Sequence, residues 1–180
     1  MVLVSIIVGL GVAEVLTGVA RQIRFRDSSV GYWVHACAVA IIFFALLQNW
    51  WELWVLRDAA QWNFLGLVLM LLPPSALYLV AHLIFPDSIQ GAKFRTHYYG
   101  EMRPIWWLAV FATIASTLFK PLAFRVELFN LDNAASVPMV VGLIVLARSK
   151  NVVLHSVLVP AFLMVLLWDV LWWTPTASLG

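Results

Sequence analysis

Residues 2–22 read VLVSIIVGLGVAEVLTGVARQ, and this stretch decides the class of the fold. Only Glu14 interrupts it with a charge before Arg21, so it meets the length of roughly 20 apolar residues that a bilayer-spanning helix needs. Working outward, breaks at charged and Pro-rich clusters leave five more stretches of this kind, at residues 32–55, 62–85, 104–122, 134–148 and 152–173. The 180 residues are 63% hydrophobic and 11% charged, with a mean hydropathy of +0.94. A water-soluble domain carries roughly 25% charged residues. A chain so poor in charge cannot cover itself with a solvated surface, and lipid is its main solvent. The expected fold is an all-α polytopic membrane bundle of six transmembrane helices, one domain over residues 1–180. Its third helix is expected to be interrupted at Pro73-Pro74.

Several classes fall away at once. The first apolar stretch has no basic region before it and runs into Arg21, Arg24 and Arg26 without a small-residue cleavage site, so it reads as a retained helix. The single cysteine, Cys37, excludes an internal disulfide and a cysteine-based metal site. A net charge of +2 with no long basic run gives no basis for a nucleic-acid partner.

The charges set a topology. Six crossings put Arg21, Arg24, Arg26, Lys93, Arg95, Arg103, Arg148 and Lys150 on one side and Arg57, Lys120 and Arg125 on the other. The positive-inside rule makes the richer side cytoplasmic and both termini extracytoplasmic. Trp50, Trp51, Trp54, Trp62, Trp168, Trp172 and Trp173 then form an outer aromatic belt, and Tyr32, Trp33, Trp106 and Trp107 an inner one. Pro86 to Pro104 is the longest polar connection. Lys120 to Asn133 mixes charges with Phe124, Leu128, Phe129 and Leu131, as a segment lying on the membrane surface does. Prolines in the third and sixth helices would fit an inverted pair of three-helix repeats. A rival match pairs helices 1–2 with 5–6, and neither extends far.

Glu14 is the first candidate for chemistry. A carboxylate past the middle of a spanning helix costs a few kcal/mol or more unless it is neutral, paired or wetted. Ser5, Gly9, Ala13 and Thr17 recur every fourth residue beside it, and small residues at that spacing admit a neighbouring helix, so Glu14 is expected to face the interior. It would bind a cation, carry a proton or orient a polar ligand. The plainer reading is a protonated side chain bonded to a nearby Thr or carbonyl, or paired with Arg21. Pro73-Pro74 forms the second feature. Proline removes a helical donor, and a break there beside Ser75 and Tyr78 would line a polar cavity at the depth of Glu14; a simple kink is the alternative.

His35, His82 and His155 lie near the inner ends of helices, and His97 in the inner loop. Facing imidazoles hold haem in membrane cytochromes, but no paired spacing appears, and no other metal is indicated. Interfacial hydrogen bonding, with His35 and His155 lining a vestibule, is the simpler role. Gln48 and Glu52 near the outer end of helix 2 match Asp169 in depth, as an outer mouth for cations or as side chains reaching water. No nucleophile arrangement, phosphate loop or nucleotide motif is present, and no cofactor is expected.

The Gly-rich first helix around Glu14, Tyr32-Trp33-Val34-His35, Trp54-Val-Leu-Arg57-Asp58, Leu72-Pro73-Pro74, Phe85-Pro86-Asp87 and His97-Tyr98 together resemble a family of small bacterial inner-membrane proteins without an established activity. The resemblance covers about the first 100 residues and implies a bacterial cytoplasmic membrane. From the residues, the first functional expectation is a small homo-oligomeric channel or transporter, for cations or protons in preference to anions, with Glu14 as its titratable group. Thr17, Pro73, Pro74, Ser75 and Tyr78 complete that site. The second is a non-transporting subunit or assembly factor bound to another membrane protein. The third is a haem-binding or lipid-processing membrane protein.

Overall fold

A computed structural model of the chain describes residues 2–55, 64–124 and 136–173. Helices α1 (Val2–Arg24), α2 (Trp33–Val55), α3 (Phe64–Leu83), α4 (Phe94–Phe124), α5 (Ser136–Arg148) and α6 (Val152–Trp168) follow one another, and α6 continues as a π-helical turn, Asp169–Trp173. The all-α bundle is as expected. Among the described residues, five of the helices are long and apolar enough to cross a membrane, and α5 is described over 13 apolar residues. Arg57, Asp58, Trp62 and residues 125–133 lie outside the described residues.

Helices α2 and α3 stand at the centre. Helix α1 packs against both, α4 lies on α3 with α5 beyond it, and α6 lies on α2. Helix α1 buries Val4, Val8, Gly11, Val15 and Gly18, a stripe at helical spacing. That stripe corrects the expected packing face: Gly9, Ala13 and Thr17 are exposed, and a Cβ at Gly9 would meet nothing within 4 Å. The close approaches are made by Gly11, under Leu46, and Gly18, where a Cβ would fall on the Phe85 ring. Ser5 reaches a neighbour as a hydrogen-bond acceptor, from Trp50 Nε1 at 3.1 Å.

Helix α3 runs unbroken through Pro73 and Pro74, and both are buried, so the expected interruption is absent. Two prolines cost the helix the donors for the carbonyls of Leu69 and Met70. Packing on both sides, with Met70, Ala76 and Val80 also buried, holds the remaining turns together.

Helix α4 begins ten residues earlier than the proline at 104 marks it. Phe94, Tyr98, Met102, Ile105 and Trp106 are buried at steps of four, four, three and one, while Arg95, Glu101 and Arg103 are exposed. Half of the expected polar connection is therefore an amphipathic first part of the helix. At 31 residues α4 is about 46 Å long, more than the roughly 30 Å of hydrocarbon. Its other end carries helix through residues 120–124, which were expected on the membrane surface. Trp106, expected in an aromatic belt, is a core residue. Trp107 is exposed and lies 5.8 Å from the Arg148 guanidinium.

The connections after α1 and α3 are stitched by Val30 N–H to Ala92 O (2.9 Å) and Phe94 N–H to Val30 O (3.1 Å). Gly91 makes the turn between them with φ of +74°, where a side chain would be strained. All eight cations of the richer side belong to this basic face.

Candidate functional site

Glu14 meets His82. Helices α1 and α3 run parallel, and three contacts fix their register: Glu14 Oε1 lies 3.0 Å from His82 Nδ1, Gly18 sits under Phe85, and Arg21 Nη1 donates to Asp87 O at 3.4 Å. Around this pair is a cleft of about 260 Å³ lined by Glu14, Thr17, Arg21, His82, Phe85, Pro86 and Asp87. It opens sideways: the side chains of His82 and Glu14 are 61% and 31% exposed. Its polar character rises toward the basic face, where Arg21 and Asp87 lie. Of the expected site, the structure thus joins Glu14 and Thr17, and adds His82, Arg21 and Asp87.

Pro73, Pro74, Ser75 and Tyr78 do not line this cleft, although Tyr78 stands one turn before His82 on α3. The register places the prolines eight and nine residues before His82, about 12–14 Å farther from the basic face. Matching helix ends had put Glu14 and the prolines at one depth. In fact α1 outruns α3, so that Arg21 stands level with Asp87, beyond the end of α3. The sequence signal for His82 was its place one residue before that end, but its partner depends on the offset.

His35 and His155 are each fully buried, and each closes a helix end. His35 Nε2 lies 2.8 Å and His97 Nε2 3.0 Å from the carbonyl of Ile84, just past α3. A carbonyl only accepts, so both rings donate from Nε2, and its two lone pairs serve both donors. His155 Nε2 likewise donates to Ser149 O, just past α5, at 2.7 Å. Its Nδ1 is then the acceptor for the Tyr98 hydroxyl at 2.8 Å. These carbonyls are the orphans that any helix leaves at its C-terminus. The rings are packed by aromatics: Phe94 is 4.8 Å from His35, and Tyr98 and Tyr99 lie 5.5 and 5.4 Å from His155. The two histidines are thus packed and bonded, where a vestibule lining was expected. With Nε2 donating, none of the three offers that nitrogen's lone pair to a haem iron.

Tyr98→Phe removes the donor that His155 Nδ1 accepts in this buried place. Thermal unfolding should shift by the cost of one unsatisfied buried group, about 1–3 kcal/mol. An unchanged midpoint would show that the bond contributes nothing.

At the opposite face, Gln48, Glu52 and Asp169 do come together. Gln48 Nε2 donates to Glu52 Oε1 at 3.4 Å and to Asp169 Oδ2, joining α2 to the turn after α6. Trp50 and Trp54 stack beside them at 5.3 Å. Among the described residues, no group of three His, Cys, Asp or Glu side chains is placed to hold a metal ion.

No protein family, curated protein or solved structure matches this chain.

Proposed function

We propose that this integral membrane protein moves protons, or small cations in their place, across the bilayer by way of Glu14, with His82 as its exchange partner. The observation that carries the reading is the 3.0 Å contact of Glu14 Oε1 with His82 Nδ1 in a cleft that opens at the surface. Intramembrane carboxylates and imidazoles are the usual members of proton relays. In one step the proton on Nδ1 of a protonated His82 passes to Oε1 of the Glu14 carboxylate. A neutral imidazole and a neutral acid remain, and the reverse step restores both. Arg21 and Asp87 give the cleft a polar end at the basic face, which the positive-inside rule makes cytoplasmic. Both chain termini are then extracytoplasmic, and the setting is a bacterial cytoplasmic membrane.

The bundle axis offers no polar path: His35, Asn49 and His155 are the buried polar residues among the described ones, and the rest of the core is apolar. Passage therefore follows the α1–α3 surface, and a second copy completes its wall. The test is proton uptake into liposomes holding the purified protein. His82→Phe should cut uptake at least tenfold. Uptake no faster than in protein-free liposomes, from a folded wild-type protein, would end the proposal.

A second reading, a non-transporting subunit for another membrane protein, is favoured by one observation. Gly9, Ala13 and Thr17 line up on the exposed side of α1, with open space at Gly9. Silent flux assays together with a stoichiometric co-purifying membrane protein would establish it.

A further inference from the structure

A second groove lies between α1 and α2, away from the Glu14 cleft. It encloses about 360 Å³, with walls that run from Val15 and Val19 on α1 to Ala36, Ala40 and Phe44 on α2, and Gln22 is its one polar lining residue. Ala36 and Ala40 stand one turn apart, and their small side chains leave the space. The two helices are antiparallel, so Gln22 and Ala36 mark its end at the basic face, and Val15 and Phe44 its end toward the middle of the bundle. It follows eight residues of α1 and nine of α2, about 11–12 Å of helix, most of the roughly 15 Å of hydrocarbon that belongs to one leaflet.

The polar end is also the charged end. Past Gln22 the helix closes with Phe25 N–H to Arg21 O at 3.0 Å and a tighter bond, Arg26 N–H to Ile23 O at 3.4 Å, so that Arg26 follows four residues after Gln22 in the turn that ends α1. The Arg26 side chain is 78% exposed and lies 3.6 Å from Asp27, an exposed pair of the weak kind that a phosphate can displace. An apolar channel one leaflet deep, ending in an amide donor and then a guanidinium, has the polarity of a single lipid. We propose that the groove holds one acyl chain of an anionic phospholipid from the leaflet at the basic face, its phosphate taken by Gln22 and Arg26. The site shares no residue with the Glu14 cleft, so the inference stands whether or not the protein carries protons.

Native mass spectrometry of the full chain in detergent, titrated with phosphatidylglycerol or with phosphatidylcholine of the same chains, tests it. Wild-type protein should retain one phosphatidylglycerol per chain, at least fivefold in preference to phosphatidylcholine. Ala40→Phe fills the groove and should abolish retention; Ala36→Leu, at an exposed position, repeats the test should the larger side chain disturb folding. Arg26→Gln should remove the headgroup preference while the chain still binds. Val157→Phe, on the exposed side of α6, should change neither. Absence of a retained lipid, equal retention of both lipids by the wild type, or undiminished retention in the folded groove-filling variants would overturn the proposal.

Discussion

Glu14→Gln should bring proton uptake into liposomes down to the level of protein-free vesicles while leaving the protein folded. Glutamine keeps the size and shape of the side chain, and its amide still offers a hydrogen-bonding atom to His82 Nδ1, which lies 3.0 Å from the carboxylate. What it loses is the exchangeable proton. An uncharged amide at this depth also removes any cost of holding a carboxylate in lipid, a few kcal/mol where the charge is unpaired. The variant is therefore expected to match or exceed the wild type in stability. Stability and flux should move apart, which separates this result from simple misfolding. Normal flux in a folded Glu14→Gln protein would remove Glu14 from the pathway. Loss of flux together with loss of the fold would assign the Glu14–His82 contact to structure.

Two glycines nine residues from each other on either side of the same helix should respond to one substitution in opposite ways. In Gly18→Ala the new methyl falls on the Phe85 ring, which is buried and has side-chain atoms rather than a flexible tip at the point of contact. Either the ring or the helix must move, and overpacking of this sort costs about 1–3 kcal/mol. Because Gly18–Phe85 is the middle one of the three contacts that align α1 with α3, the shift should also separate Glu14 from His82. Gly18→Ala is expected to lower flux and stability together. Gly9→Ala meets nothing within 4 Å, and a glycine-to-alanine change inside a helix gains about 0.5–1 kcal/mol in water. It should be neutral or slightly stabilising in detergent. Equal thermal midpoints for the two variants would show that the α1–α3 packing yields at Gly18 without cost.

The substitutions also show where reading the chain as a line reached its end. Hydropathy located α1, α2 and α6 within a few residues, since their apolar runs are sharply bounded in the sequence. It placed the start of α4 wrongly, because Pro104 and four basic residues look like a loop. The buried positions Phe94, Tyr98 and Met102 keep a helical spacing through that same segment, which was the available signal. Small residues at every fourth position of α1 pointed to the wrong face: Gly9 and Gly18 look alike in sequence, and only Gly18 has a ring above it. The outer cluster of Gln48, Glu52 and Asp169 was legible because its members sit at matching distances from helix ends that are themselves level. Glu14 and His82 do not, and so their meeting was not.

The sequence by itself determined that this is an all-α membrane protein built of lipid-length apolar helices, which face is basic and which titratable group lies deepest. All of these follow from local composition, because transfer of each segment into lipid depends on its own side chains. Only the tertiary structure decided that Glu14 faces His82, that the prolines lie some turns away, and that α3 stays continuous. Those depend on the offset between parallel helices, which is set where Gly18 admits Phe85 and Arg21 reaches Asp87. Such an offset is a property of two surfaces in contact, and neither surface carries it alone.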